Sequence, residues 1–177
     1  MKHRLPHLNN VLCVGIGLLL FCGWSFLLPR SVSAQQSKEA PGRACANQDL
    51  VGSWNMEAMV IAPSERVDPG NAWFFEHQRF VFYENGRVKH LTSNKPLQAA
   101  DLAALRAKPA TATWSLDERG WLTIQKQGVP QSERALCTYS LVGDATSDPR
   151  TPRPGDVILT YTRGGKPAVQ KLLRKTD

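Results

Sequence analysis

Histidine and cysteine are scarce in this sequence. Four of each occur, but His3, His7, Cys13 and Cys22 fall within the first thirty residues, leaving only His77, His90, Cys45 and Cys137 beyond them. The two later cysteines have no Cys-x-x-Cys spacing and no neighbouring His, so a zinc or redox motif is not indicated. His77 and His90 with Met56 or Met59 offer donor types that suit copper. Their spacing is not that of a compact metal motif, and a hydrogen-bonded structural role is the expectation for each histidine. Catalytic signatures are missing as well: there is no Gly-x-Ser-x-Gly elbow, no His-Glu-x-x-His, no phosphate loop and no dinucleotide fingerprint. No enzymatic activity and no cofactor are therefore expected. Stripes of one charge are lacking too, since bases alternate with acids, as in Glu84/Arg87, Asp117/Glu118/Arg119 and Glu133/Arg134. That argues against a nucleic-acid footprint, which would be clustered.

Acids are absent from residues 1–34, which instead carry Lys2, Arg4 and an apolar run from Val11 to Leu28. A basic start, an apolar stretch and the small-residue site Val32-Ser33-Ala34 predict a secretory signal peptide over residues 1–34. The alternative is an uncleaved anchor, because the run approaches the ~20 residues that span a bilayer. Cleavage would remove three bases, Lys2, Arg4 and Arg30, and lower the net charge from +7 to +4. It would also leave Cys45 and Cys137 as an even pair in a periplasmic or extracellular setting, most simply a disulfide. Closing a loop of about ninety residues, that bond would contribute roughly 4 to 5 kcal/mol on the chain-entropy account.

What the mature chain does have is punctuation. Residues 35–48, rich in Gln, Ser, Ala, Pro and Gly, predict a flexible leader, and residues 49–177 one β-rich domain. From Leu50 to Ile61 the residues alternate, with Trp54, Met56, Ala58 and Val60 on one face, although Met59 and Ile61 interrupt the other. After a loop from Ala62 to Asn71 come two hairpins of the same construction. In the first, Trp73 to Tyr83 and Arg87 to Leu91 flank Glu84-Asn85-Gly86. In the second, Ala112 to Asp117 and Trp121 to Lys126 flank Glu118-Arg119-Gly120. A three-residue loop with glycine in the left-handed position pairs Phe82 with Val88, Phe80 with His90, Leu116 with Leu122 and Trp114 with Ile124. Three more strands follow: Glu133 to Leu141 with Ala135, Cys137, Tyr139 and Leu141 inward, then Asp156 to Thr162 and Ala168 to Lys175. Arg163-Gly164-Gly165-Lys166 turns between the last two, and Gly143 to Gly155 is a long loop. Pro96 to Ala107 has helical spacing and is expected to lie across a barrel mouth.

Eight antiparallel strands, each with one apolar face, remove their exposed edges by closing. The fold class is thus all-β: an eight-stranded up-and-down barrel with one short helix between strands 3 and 4. Leu50-Val51-Gly52-Ser53-Trp54 at the opening strand resembles the Gly-x-Trp signature of lipocalins and related calycins. The resemblance implies structural roles for Gly52, Trp54 and Arg174: the Trp plugs the closed end and the basic residue of the last strand packs over it. Typical lipocalins also carry a long helix after the last strand, whereas the helical pattern here lies between the third and fourth.

An eight-stranded barrel either fills itself with side chains or holds one small ligand. Trp54, Phe80, Phe82, His90, Trp114, Tyr139 and Tyr161 are the candidate ligand-binding residues, joined in the interior by Met56 and Ile124, with Arg79 and Arg163 as further polar candidates. Two functions are compatible with this reading. One is a carrier of a small hydrophobic molecule; the other is a filled barrel that binds a periplasmic or membrane-associated protein through its long loops.

Overall fold

Short antiparallel connections dominate the chain, and they build a closed wall. The computed structural model describes residues 42–143 and 148–176; the signal segment read over residues 1–34 lies outside them. The elements are β1 (Gly42–Ala44), α1 (Asn47–Leu50), β2 (Gly52–Ile61), a 3-10 turn (Ala72–Phe74), β3 (His77–Phe82), β4 (Arg87–Ser93), α2 (Ala99–Ala107), β5 (Ala112–Leu116), β6 (Trp121–Lys126), β7 (Glu133–Ser140), β8 (Val157–Arg163) and β9 (Lys166–Thr176). Strands β2 to β9 each pair antiparallel with the next, and β9 returns to β2. This is the eight-stranded up-and-down barrel expected, with α2 between its third and fourth strands. Among the described residues, no helix is long and apolar enough to cross a membrane.

The hairpin registers follow from their glycines. Gly86 and Gly120 have φ of 73° and 80°, and the pairs Phe82/Val88, Phe80/His90, Leu116/Leu122 and Trp114/Ile124 form as the three-residue loops require. Gly120 is constrained twice. A Cβ on it would meet Ala44 Cβ at 3.0 Å and the Cys137 carbonyl oxygen at 3.1 Å.

Several expectations are corrected. Residues 42–50, within or bordering the stretch read as leader, form β1 and α1. β1 pairs with β7, and Arg43 holds Asp49 through two hydrogen bonds of 2.5 and 2.8 Å. On β2 a bulge between Met56 and Ala58 exchanges the faces. Trp54 and Met56 point inward before it, and Met59 and Ile61 pack on the core after it. Val60, expected inside, is 62% exposed. Leu141 lies past the end of β7 and is also exposed. Trp73 is not in a strand, because Asn71 caps a helical turn by accepting from the Trp73 backbone N–H at 3.0 Å, and β3 begins four residues later.

The two barrel ends differ. At the end holding the hairpin glycines, Trp54 is 1% exposed and its indole N–H donates to the Leu50 carbonyl at 2.7 Å. α1 supplies that acceptor, and the Cys45–Cys137 disulfide ties the segment to β7. Such a bond fits an oxidising compartment. The helix α2 does not cover the opposite mouth. Lys89, on the outer face of β4, donates to the Arg106 carbonyl at 2.7 Å, so α2 docks against the outside of the wall. The mouth is occupied by the 3-10 turn.

Candidate functional site

The open mouth carries an unusual floor for a barrel: a lysine, a glutamine and a histidine on inward strand positions. Lys171 follows Val169 and precedes Leu173 on the inner face of β9, and it is 0% exposed. Its ammonium donates to the Trp73 carbonyl at 3.1 Å and to Gln78 Oε1 at 3.0 Å. It also lies 3.9 Å from the Trp73 ring centroid and 5.5 Å from that of Tyr161, close enough for cation–π attraction. None of the salt bridges among the described residues involves Lys171.

Gln78 organises this floor. Its amide nitrogen donates to the carbonyls of Trp73 at 2.9 Å and Phe75 at 2.8 Å, which fixes the amide orientation and turns Oε1 toward Lys171 and His90. His90 Nε2 lies 3.1 Å from that oxygen. Since Oε1 can only accept, Nε2 carries the proton and His90 is the neutral Nε2–H tautomer. Burial, reinforced by the charges of Lys171 and Lys126, pulls the His90 pKa down to about 3. Burial likewise lowers the Lys171 ammonium to about 7, with Glu133 opposing the shift. The Tyr161 hydroxyl is pushed up by burial and held neutral.

Trp73 is the roof. Its ring meets Tyr161 edge-on at 4.9 Å, and its indole N–H donates to Glu133 Oε2 at 3.3 Å. Glu133 accepts in turn from Lys126 at 2.6 Å. The indole thus bridges the mouth from β9 to β7. Beside it, where β4 and β5 part after Val88/Ala112, lies a cavity of about 450 Å³ lined by Trp73, Val88, His90, Thr92, Ala112 and Lys126 among others. On the far side of the turn, Phe74 borders a groove of about 790 Å³ along Asn55 to Ile61. This groove exists because β2 and β3 pair only from Gly52/Phe82 to Asn55/Arg79 and then part.

The expected ligand residues divide by depth. Trp54, Phe80 and Phe82 are each 1% exposed and fill the lower barrel. Phe80 stacks on His90 at 4.1 Å, and Phe82 meets Trp114 edge-on at 5.6 Å. Of the seven, His90 alone lines the mouth cavity. Tyr161 sits beneath Trp73, and Tyr139 belongs to the closed end, where Arg43 lies 4.6 Å over its ring. Arg79 is on the outer wall, donating to Asn55 Oδ1 at 2.6 Å, and Arg163 pairs with Glu65 at the rim. His77 faces outward and His90 inward, so the two do not converge.

The basic residue over Trp54 is Lys175, with Nζ 5.8 Å from the ring, and not Arg174. Arg174 points out and clamps Asp156 at 2.7 and 3.1 Å. Gly52 has φ of 130° and would place a Cβ 2.9 Å from Lys175 Cε, so it leaves room for that lysine to cross. No family model, no curated protein and no solved structure matches the chain.

Proposed function

We propose that this protein is an exported, lipocalin-like carrier whose open mouth holds a small hydrophobic molecule. The observation that carries this reading is the cavity of about 450 Å³ at the mouth, within the size range of small-molecule sites. Its apolar wall is Val88 and Ala112, while His90 and Lys126 give it polar points for orientation. The signal pattern and the disulfide support a periplasmic or secreted setting, with an uncleaved membrane anchor as the alternative. Filling the cavity tests the reading: Thr92→Trp should abolish retention of a small molecule in native mass spectra of protein purified from its own periplasm, while the thermal midpoint is maintained. Unliganded wild-type protein in those spectra would count against a carrier.

A second reading has its own support. The lower barrel is filled, and the edge of β2 from Met56 to Ile61 is unpaired on the β3 side, with exposed Val60 beside it. A filled barrel acting as a subunit would offer this edge to an extended segment of a periplasmic or membrane-associated protein. Val60→Lys should then release a co-purifying subunit without altering small-molecule retention.

A further inference from the structure

A lysine placed wholly inside a barrel without a salt bridge is costly, because burial disfavours the ammonium more than the charge of Glu133 offsets it. The surroundings of Lys171 fit an amine that is sometimes neutral. Its two acceptors, the Trp73 carbonyl and Gln78 Oε1, are uncharged, and the nearest acid, Glu133, is taken by Lys126 and the Trp73 indole. Two groups link the amine to the mouth cavity: Trp73 contacts Lys171 and lines the cavity, and His90, which also lines it, shares Gln78 Oε1 with Lys171. The roof itself is a three-residue turn, held to β7 by the indole hydrogen bond to Glu133 and to β3 and β9 by the Trp73 carbonyl, which accepts from Gln78 and Lys171.

We propose that Lys171 is a covalent capture site that forms a reversible imine with an apolar aldehyde. The inference rests on the carrier reading of the mouth and names the reactive group of the ligand. In the neutral amine the nitrogen lone pair attacks the carbonyl carbon, and the C=O π pair moves to oxygen. One nitrogen proton passes to that oxygen, giving a carbinolamine. The second leaves with the hydroxyl as water while the C=N bond forms, so amine and aldehyde become imine and water with no change of oxidation state. A protonated imine would keep the attraction to the Trp73 and Tyr161 rings that the ammonium now has. The aldehyde's tail would occupy the cavity along Val88 and Ala112. An ammonium lowered to about 7 has a large neutral fraction near neutrality, which exposed lysines lack, and desolvation is a recognised way to activate a lysine nucleophile.

The experiment uses the mature chain with decanal and cyanoborohydride at pH 7, followed by intact-mass measurement and peptide mapping. A single adduct is expected at Lys171, formed at least tenfold faster than at exposed lysines such as Lys95 and Lys166. Lys171→Met should abolish it while decanol, read by quenching of tryptophan fluorescence, still binds. Trp73→Ala, which removes the roof, should accelerate labelling of Lys171 and covers the case in which Lys171→Met does not fold. Adducts spread over surface lysines, or labelling of Lys171 unaltered by Trp73→Ala, would overturn the proposal. Decanol binding without a Lys171 adduct overturns the imine alone, whereas failure of both decanol and decanal to bind overturns the carrier reading with it.

Discussion

Lys171 and His90 make stability depend on pH in two separate windows. The folded Lys171 ammonium loses its proton near 7, against 10.5 for an ordinary lysine. Between those values the unfolded chain binds the extra proton, so stability rises with pH across the window and the penalty is full below it. His90, lowered from 6.5 to about 3, acts in the same sense at acid pH: its contribution is lost as pH falls from 6.5 toward 3. The groups facing Lys171 are Glu133 on β7, Lys126 on β6, His90 on β4 and Tyr161 on β8. Urea midpoints of wild type and Lys171→Met should therefore differ by an amount that shifts in favour of the wild type between pH 7 and 10. His90→Gln should change the profile only below about 6.5. A Lys171→Met profile parallel to wild type above pH 7 would show that the amine is not buried as the ammonium's partners imply. Lys171 escaped the sequence reading for a physical reason. β9 buries Ala168, Val169, Leu172 and Leu173, so both faces are apolar and alternation does not reveal its phase. The resemblance had assigned Arg174 to the place over Trp54, and the register of β9 gives it to Lys175.

The hairpins were the most legible elements because their turns state their own geometry. A glycine after two polar residues allows one loop that keeps apolar partners opposed, and both registers formed accordingly. Elements whose character is set by distant partners were not legible: β1 forms by pairing with β7, and the bulge in β2 answers to β9. Trp73 has the aromatic character of a strand residue, yet the cap from Asn71 and the contacts with Tyr161 and Lys171 decide its place. That is why the lid of the candidate site was missed although its floor residue His90 was named. The two glycines should separate under mutation. Gly86→Ala forces a side chain into the left-handed region at a cost of about 1–2 kcal/mol, and its Cβ would meet only the Trp114 carbonyl, at 3.4 Å. Gly120→Ala adds contacts at 3.0 and 3.1 Å with Ala44 and Cys137, so its loss in urea denaturation should be the larger. Equal losses would mean that β1 yields freely.

On the scale of the molecule, the barrel was readable because eight strands were separated by glycine and proline turns, while the mouth chemistry depends on side chains brought together from β3, β4, β6, β7 and β9. The closed end adds a dependence on compartment. β1 holds β7 over three residue pairs, and the segment is fixed to the barrel further by buried Leu50, by Arg43 over the Tyr139 ring and by the disulfide. The Arg43–Asp49 pair lies within the segment, with Arg43 the more exposed partner, and braces it internally. The disulfide spans 92 residues, for which loop-closure entropy gives about 4 to 5 kcal/mol. It is the covalent tether of the segment that gives Trp54 its acceptor at Leu50. With the bond formed, an alkylating reagent without reductant should add no mass at Cys45 or Cys137; two labels would overturn the pairing. Replacing both cysteines by serine should cost up to that amount in urea denaturation, and the loss should begin locally. The near-ultraviolet signal of Trp54, compared against a Trp54→Phe background, should change at a lower urea concentration than the far-ultraviolet signal of the barrel strands. Coincident transitions would instead mean that β1 and α1 unfold with the barrel as one unit, and that the disulfide stabilises the whole domain and not its closed end.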